Sequence, residues 1–193
     1  MQTEFEATIL DIEVNKVREK LEKLKAKLIQ PERLMRRYIF APHSEKELKG
    51  VWVRVRDEAD KVTMSFKKVE GDKIEDQKEI CLTIDSFDEG YEFLKAIGLK
   101  QKAYQETKRE LWLLNDVEVT IDTWPGLEPF LEIEGQSELV VKKVVEVLGY
   151  DYNKAIFGAV DVVYEIKLGI PPEVINNKTK EITFKNPPKK YEK

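Results

Sequence analysis

The chain is poor in the two residue types that most often carry soft-metal and redox chemistry. Among 193 residues there is one cysteine, Cys81, and one histidine, His43. A single cysteine excludes an intrachain disulfide and argues against a thiolate metal cluster. There is also no run of about 18 apolar residues to span a bilayer. No signal-peptide pattern precedes the first apolar segment. A soluble, cytoplasmic protein without a membrane partner is the expectation. Net charge is equally scarce: 33 Lys+Arg against 37 Asp+Glu leave −4, which argues against a nucleic-acid partner. Yet 36% of the residues are charged, against about 25% in an ordinary domain. Many charges with a small sum make their positions the informative quantity. The length fits one domain with a sizeable core.

What is present is alternation. Eight segments alternate polar and apolar, roughly 2–9, 32–40, 51–57, 62–69, 77–84, 103–114, 117–124 and 129–135, the period of a strand with two different faces. Short loops at Glu58-Ala59-Asp60-Lys61, Gly71-Asp72-Lys73 and Asn115-Asp116 predict antiparallel neighbours, the last a tight hairpin. Three amphipathic helices interrupt the strands. One covers 13–27, with Val14, Val17, Leu21, Leu24 and Leu28 on one stripe. One opens at the capping-box sequence Ser86-Phe87-Asp88-Glu89 and stops near Gly98, and one is capped by Ser137 and ends at Gly149. A fourth helix is expected at about 153–168. Residues 1–170 read as one domain and 171–193 as a tail rich in Pro, Asn and Lys, either loosely ordered or adding an edge strand at Glu181–Phe184.

The strand faces carry the chemistry. Glu4-Phe5-Glu6 and Glu132-Ile133-Glu134 each put two carboxylates on one face. Arg54 and Arg56 share a face with Trp52, Lys67 with Thr63 and Ser65, Glu79 with Cys81 and Thr83, and Asp122 with Glu118 and Thr120. A half-exposed sheet with its polar face in water gives the same alternation. Clustering of like charges, and helices available to cover the apolar faces, favour the opposite arrangement. This is an α+β fold in which eight antiparallel strands close into a β-barrel, charged inside and helix-covered outside. Interior charges must pair, hold water or bind ions. Carboxylate oxygens suit Mg²⁺ or Mn²⁺, and arginine clusters suit phosphate oxygens. The combination describes a tunnel for a polyanion carried with a divalent cation. In the basic run Glu32-Arg33-Leu34-Met35-Arg36-Arg37, either Arg33 and Arg37 or Arg36 faces inward, and Arg37 is the preferred candidate.

This ordered series, from Glu4-Phe5-Glu6 through Arg54-Val55-Arg56, Lys67, Glu79, Arg109 in Lys108-Arg109-Glu110 and Asp122 to Glu132-Ile133-Glu134, resembles the CYTH superfamily. Its members, the triphosphate tunnel metalloenzymes, include class IV adenylyl cyclases and thiamine and inorganic triphosphatases. The resemblance covers residues 2 to about 150. It implies that Glu4, Glu6, Glu132 and Glu134 bind Mg²⁺ or Mn²⁺ with support from Asp122 and Glu79. It also implies that Arg54, Arg56, Lys67 and Arg109 grip a triphosphate. One departure stands out: the family pattern Glu-x-Glu-x-Lys has Thr8 in place of the lysine, leaving Lys67 or the arginines to supply the cation. The leading expectation is hydrolysis of a small-molecule triphosphate or polyphosphate, with Glu6 or a second cation activating water. Cyclisation of ATP is second, and binding without turnover third. A monomer or homodimer is expected.

The remaining signals read as structural. His43 is expected on the surface, Trp112 and Trp124 in packing, and Lys20, Lys23, Lys25 and Lys27 on a solvated helix face. Cys81 is expected to be passive, with interior parity.

Overall fold

The computed structural model describes residues 1–42, 50–71 and 73–191; His43 and Asp72 lie outside them. Its strands are β1 (Gln2–Ile9), β2 (Lys27–Ala41), β3 (Val51–Asp57), β4 (Val62–Val69), β5 (Gln77–Ile84), β6 (Lys100–Leu114), β7 (Val117–Thr123), β8 (Phe130–Gly135) and β9 (Glu181–Ile182). Its helices are α1 (Val14–Lys23), α2 (Phe87–Ala96), α3 (Glu138–Val147), α4 (Val160–Leu168) and α5 (Pro172–Asn177). The strand order β2-β3-β4-β5-β1-β8-β7-β6 is closed by pairing of β2 with β6. Eight antiparallel strands thus form the expected barrel, and none of them is left as an open sheet edge along its whole length. The short β9 adds a parallel pairing to β6 at Tyr104–Glu181 and Gln105–Ile182.

Local chemistry explains the turns. Asn115 and Asp116 both adopt positive φ, 50° and 62°, as a two-residue hairpin between twisted strands requires. Helices α2 and α3 end in the same paired motif. Leu99 N–H bonds Leu94 O and Gly98 N–H bonds Lys95 O, and Tyr150 and Gly149 repeat the pattern with Val145 and Glu146. The left-handed residue in each is a glycine. Helix α1 ends the same way, with Ala26 bonded to Leu21 O and Lys25 to Glu22 O, but there the left-handed residue is Lys25, φ 60°. Without a glycine to mark it, this stop is invisible in the pattern. The helix expected over 13–27 therefore ends at Lys23, and Leu28 lies exposed in β2 rather than on the helix stripe. β2 starts five residues earlier than expected. Pro31, which has no N–H for a ladder, sits in its register shift between Gln30 and Arg33.

Ser86 Oγ accepts from Glu89 N–H at 3.2 Å, as its capping sequence predicts. Ser137 occupies the corresponding position of α3 without a side-chain cap bond. The helix expected over 153–168 begins only at Val160. Before it, Ile156 exchanges two backbone hydrogen bonds of 2.9 Å with Thr8, pinning the chain to the end of β1.

The apolar faces point outward under the helices. Val17 and Leu21 of α1 and Val141, Val144 and Val145 of α3 bury Ala7, Val119, Leu131 and Ile133. Phe87 and Leu94 of α2 cover Phe40 and Val55. Val163, Tyr164, Ile170, Ile175 and Ile182 form a third cluster with Trp124 and Phe130. Helix cover is incomplete over β5, where Ile80 and Leu82 are exposed. Cys81, of interior parity, is exposed as well, because β1 pairs with β5 only as far as Glu79.

One polar contact locks the outer layer. Glu110, buried on the outside of β6, accepts from Arg18 of α1 at 2.7 and 3.1 Å and from Trp112 Nε1 at 2.6 Å. Glu110→Ala strands a buried indole N–H and a guanidinium and should cost about 2–3 kcal/mol. For a chain of this size that lowers the melting midpoint by roughly 5–10 °C. Lys16→Ala, which removes a fully exposed ion pair, should leave it unchanged. Equal midpoints for wild type and Glu110→Ala would remove this lock from the account.

Candidate functional site

The polar strand faces converge on a cavity of about 760 Å³ that runs through the barrel. Among its lining residues are Glu4, Glu6, Arg37, Arg54, Arg56, Lys67, Glu79, Arg109, Glu132 and Glu134. Asp122, 1% exposed, is reached through Arg109. Every candidate chosen from strand parity is therefore in or against one cavity. Register explains the grouping. Glu6 stands opposite Glu134, Lys67 opposite Glu79, Arg37 opposite Arg56 and Arg109 opposite Asp122. Each is a cross-strand neighbour on the inner face.

Interior charges pair rather than stand alone. Arg109 donates from Nε to Asp122 Oδ1 at 2.7 Å and from Nη2 to both Asp122 and Glu132. Arg54 Nη2 lies 3.1 Å from Glu79 Oε1. Arg56 donates to Glu58 Oε1 at 2.9 and 2.6 Å, and Thr63 Oγ1 donates to the same oxygen at 2.9 Å. Arg37 donates to Thr107 Oγ1 at 2.7 Å and stacks 4.7 Å over the Trp124 ring. Lys67 Nζ is 2.9 Å from Glu4 Oε2, an ion pair in which that oxygen makes no hydrogen bond of good geometry. Among the described residues, Glu6 and Glu134 have no ion pair.

Two residues at the cavity are missing from the candidate set. Glu58 belongs to the β3–β4 turn, where no alternation reports on it, although the spacing Arg56-x-Glu58 places both on one face. Glu118 lines the cavity beside Thr120; its parity is that of Asp122, and that parity alone could have singled it out. Thr8 is 5% exposed and faces inward by parity, but Ile156 closes over its backbone. The cation nearest the Glu4–Glu6 pair is Lys67.

Burial and like charge set the protonation states. Burial pushes Glu4 up to about 7 against the pull of Lys67. Burial also raises its neighbour Glu79, but Arg54 and Lys67 outweigh it and hold that group at about 2. Burial lifts Glu6 well above the carboxylate range, with Glu132 and Glu134 adding to the effect, and lifts Glu134 as well. Asp122 rises to about 7 by burial despite Arg109, whereas in Glu132 Arg109 overcomes burial and lowers it. Burial and then Arg56, Arg54 and Arg109 depress Arg37. Burial and then Arg54 bring Arg56 to about 10. Acids that retain protons and arginines that resist them describe a cavity short of counter-ions of both signs.

Several buried atoms are unsatisfied. The Nε donors of Arg37 and Arg54, Glu4 Oε2 and Thr120 Oγ1 have no hydrogen-bond partner. The free donors suit an anion, and the free acceptors suit a cation or its hydration water. Glu6, Glu118, Thr120, Glu132, Glu134 and Arg109, all of which also line the large cavity, surround a recess of about 10 Å³, close to the space of one water or small ion. Among the described residues, no three acids are drawn together at ligating distance; Glu4 is held by Lys67 and Glu132 by Arg109. The oxygen-only donor set fits Mg²⁺ or Mn²⁺, which would have to draw these carboxylates away from their bases.

Residues 2–154 match the CYTH domain, and the chain belongs to that family. A Methanocaldococcus jannaschii protein provisionally named adenylate cyclase is 28% identical over 141 residues, 69% of this chain and 81% of its own length. Among solved structures, a candidate adenylate cyclase from Vibrio parahaemolyticus superposes with a TM-score of 0.72 at 11% identity, over 85% of this chain and 98% of its own. A Hippeastrum protein, described as a candidate adenylyl cyclase with a dominant triphosphatase activity, gives a TM-score of 0.55 at 13% identity, over 90% and 99% of the two chains. These structural likenesses are of fold. Among the described residues, no helix is long and apolar enough to cross a membrane.

The protonated acids generate a pH dependence. Glu4 and Asp122, near 7 when folded, hold protons that the unfolded chain releases near 4. Their stabilising contribution is complete at low pH and is lost as pH rises through about 7. Glu58 and Glu79, held near 2, contribute above about 4.5 and lose that contribution on acidification. The melting midpoint without divalent cations should therefore peak at about pH 4.5 and fall toward about pH 8. Because cations and protons compete for the same oxygens, Mn²⁺ should raise the midpoint more at the higher pH. A midpoint that climbs between these two values in cation-free buffer would contradict these assignments.

Proposed function

We propose that this protein hydrolyses a triphosphate held inside the barrel, releasing the terminal phosphate in a reaction that depends on Mg²⁺ or Mn²⁺. The observation that carries this reading is the side-by-side arrangement in one cavity of unsatisfied arginine donors and proton-holding carboxylates. A triphosphate with its cation supplies the missing partner of each. Arg37, Arg54, Arg56 and Arg109 grip the phosphate oxygens, and Lys67 stands between them and Glu4. Glu4, Glu6, Glu132 and Glu134 hold the cation, with Asp122 and Glu79 orienting Arg109 and Arg54. When bound, the cation offsets phosphate charge and acidifies water.

The chain's own contribution is positioning and electrostatics. The guanidinium groups fix the phosphate chain in line and stabilise charge on the transferring phosphoryl oxygens. Glu6 has no ion pair among the described residues, and in its ionised form it is the carboxylate we assign to take a proton from the attacking water. With Thr8 in place of a lysine, Lys67 is the residue left to serve both acid pair and substrate. The activity described for the Hippeastrum relative supports hydrolysis. The name of the M. jannaschii relative supports cyclisation of ATP as the second reading.

Phosphate release from tripolyphosphate with Mg²⁺ or Mn²⁺ should fall at least about a hundredfold in Glu132→Ala and in Glu134→Ala, with both variants folded by circular dichroism. Separation of ADP from cyclic AMP after incubation with ATP should show ADP in excess. Cyclic AMP as the main product would transfer the assignment to the second reading. No cation-dependent turnover of any triphosphate would leave a binding protein.

A further inference from the structure

Five arginines line the cavity, and four of them already have acids. Arg33 lies against Asp60, Arg54 against Glu79, Arg56 against Glu58, and Arg109 against Asp122 and Glu132. Arg37 has no ion pair among the described residues, although only 5% of it is exposed. An unpaired guanidinium in such a place is costly, and Arg56, Arg54 and Arg109 add repulsion. The acids whose charge reaches it, Asp122 and Glu132, are both held by Arg109.

The partners that Arg37 does have are neutral. Its Nη2 donates to Thr107 Oγ1 at 2.7 Å, and its guanidinium carbon lies 4.7 Å from the centre of the Trp124 ring. The face of an indole attracts a cation most strongly where water is excluded. It does so without cancelling the charge, as a carboxylate would. Arg37 Nε is left without a hydrogen-bond partner. Arg37 is therefore fixed in place, yet it remains a full cation toward whatever enters the cavity.

The ring is itself held. Tyr164 of α4 meets Trp124 edge-on, with ring centres 6.3 Å apart. The Tyr164 hydroxyl donates to the carbonyl of Pro125, the next residue along, at 2.8 Å. Val163, Ile170, Ile175 and Ile182 belong to the same buried cluster. All of these come from the chain after residue 154, beyond the extent of the CYTH match. That segment sets the position of a ring, and the ring sets the position of an arginine.

We propose that Trp124 is a positioning residue for phosphate binding: its ring face holds the Arg37 guanidinium free of carboxylates and facing the cavity, so that Arg37 is the arginine a triphosphate meets without displacing an acid. This role rests on the triphosphate reading above. Arg54, Arg56 and Arg109 each share donors with a carboxylate that an incoming phosphate must compete against. Arg37 has no such competitor, and its orientation is settled before the ligand arrives, which lowers the cost of binding.

The test is calorimetry of the full chain with Mg²⁺ and diimidotriphosphate, a triphosphate analogue whose bridging nitrogens resist hydrolysis. Two replacements of Trp124 are compared, each with Arg37 present and with Arg37→Gln. Tetrafluorotryptophan keeps the shape of the ring and drains electron density from its face; Trp124→Leu removes the ring. With Arg37 present, fluorination should weaken binding about fivefold and Trp124→Leu about tenfold. Arg37→Gln should itself weaken binding about thirtyfold, and in that background neither replacement should change the affinity further. The fluorinated protein decides the matter even where Trp124→Leu does not fold. Unchanged affinity on fluorination, or equal losses in both backgrounds, reduces Trp124 to packing and overturns the proposal. Arg37→Gln that binds as tightly as wild type overturns it as well and leaves the triphosphate reading on the other arginines. Failure of diimidotriphosphate to bind wild type counts against the tunnel itself, and with it this role.

Discussion

The structure depends on one arrangement: carboxylates and guanidinium groups facing each other across the inside of a closed barrel. An ordinary sheet would turn these residues to water. Here the helices take the apolar faces, so the charges have nowhere to go but inward. The cost of burying them is met by pairing, Arg109 with Asp122 and Glu132, Arg54 with Glu79, Arg56 with Glu58. Pairing is incomplete, however. Glu6 and Glu134 retain raised pKa values, and Arg37 and Arg54 keep idle donors. A lattice selected only for stability would close these gaps or replace the charges with apolar groups. The gaps are what a ligand carrying both signs fits.

Strand parity made most of this legible. Each strand has period two, so Glu4 and Glu6, Arg54 and Arg56, Glu132 and Glu134 fall on one face whatever the exact strand ends, and closure then brings the faces together. The barrel, the order of its long hairpins and the inward-facing set all follow from that periodicity. Arg37 could not be fixed by parity alone, because Pro31 breaks the register of β2 before the basic run. Its pairing opposite Arg56 and Gln105 determines its direction.

What periodicity could not reveal lies where periodicity is absent. Glu58 sits in a four-residue turn. The end of α1 is made by a lysine in a left-handed conformation, so no glycine marks it. The exposure of Cys81 reflects the short overlap of β1 with β5, and that of Leu82 the incomplete helix cover over β5, both matters of tertiary arrangement. The segment after residue 154 builds one mouth of the cavity through a single bridge to Thr8 and a two-residue parallel strand. The bridge leaves no pattern in the sequence, whereas the strand falls within Glu181–Phe184, where an edge strand was one of the two expectations.

The central claim is that cation and polyphosphate share the barrel interior. Diffraction from crystals soaked with tripolyphosphate and Mn²⁺, recorded for manganese anomalous signal, tests it most directly. The account predicts a manganese peak ligated by carboxylates of Glu4, Glu6, Glu132 or Glu134, with phosphate oxygens on Arg54 and Arg56. Manganese and phosphate found only on the outer surface, with the Lys67–Glu4 and Arg109–Glu132 pairs undisturbed, would contradict it.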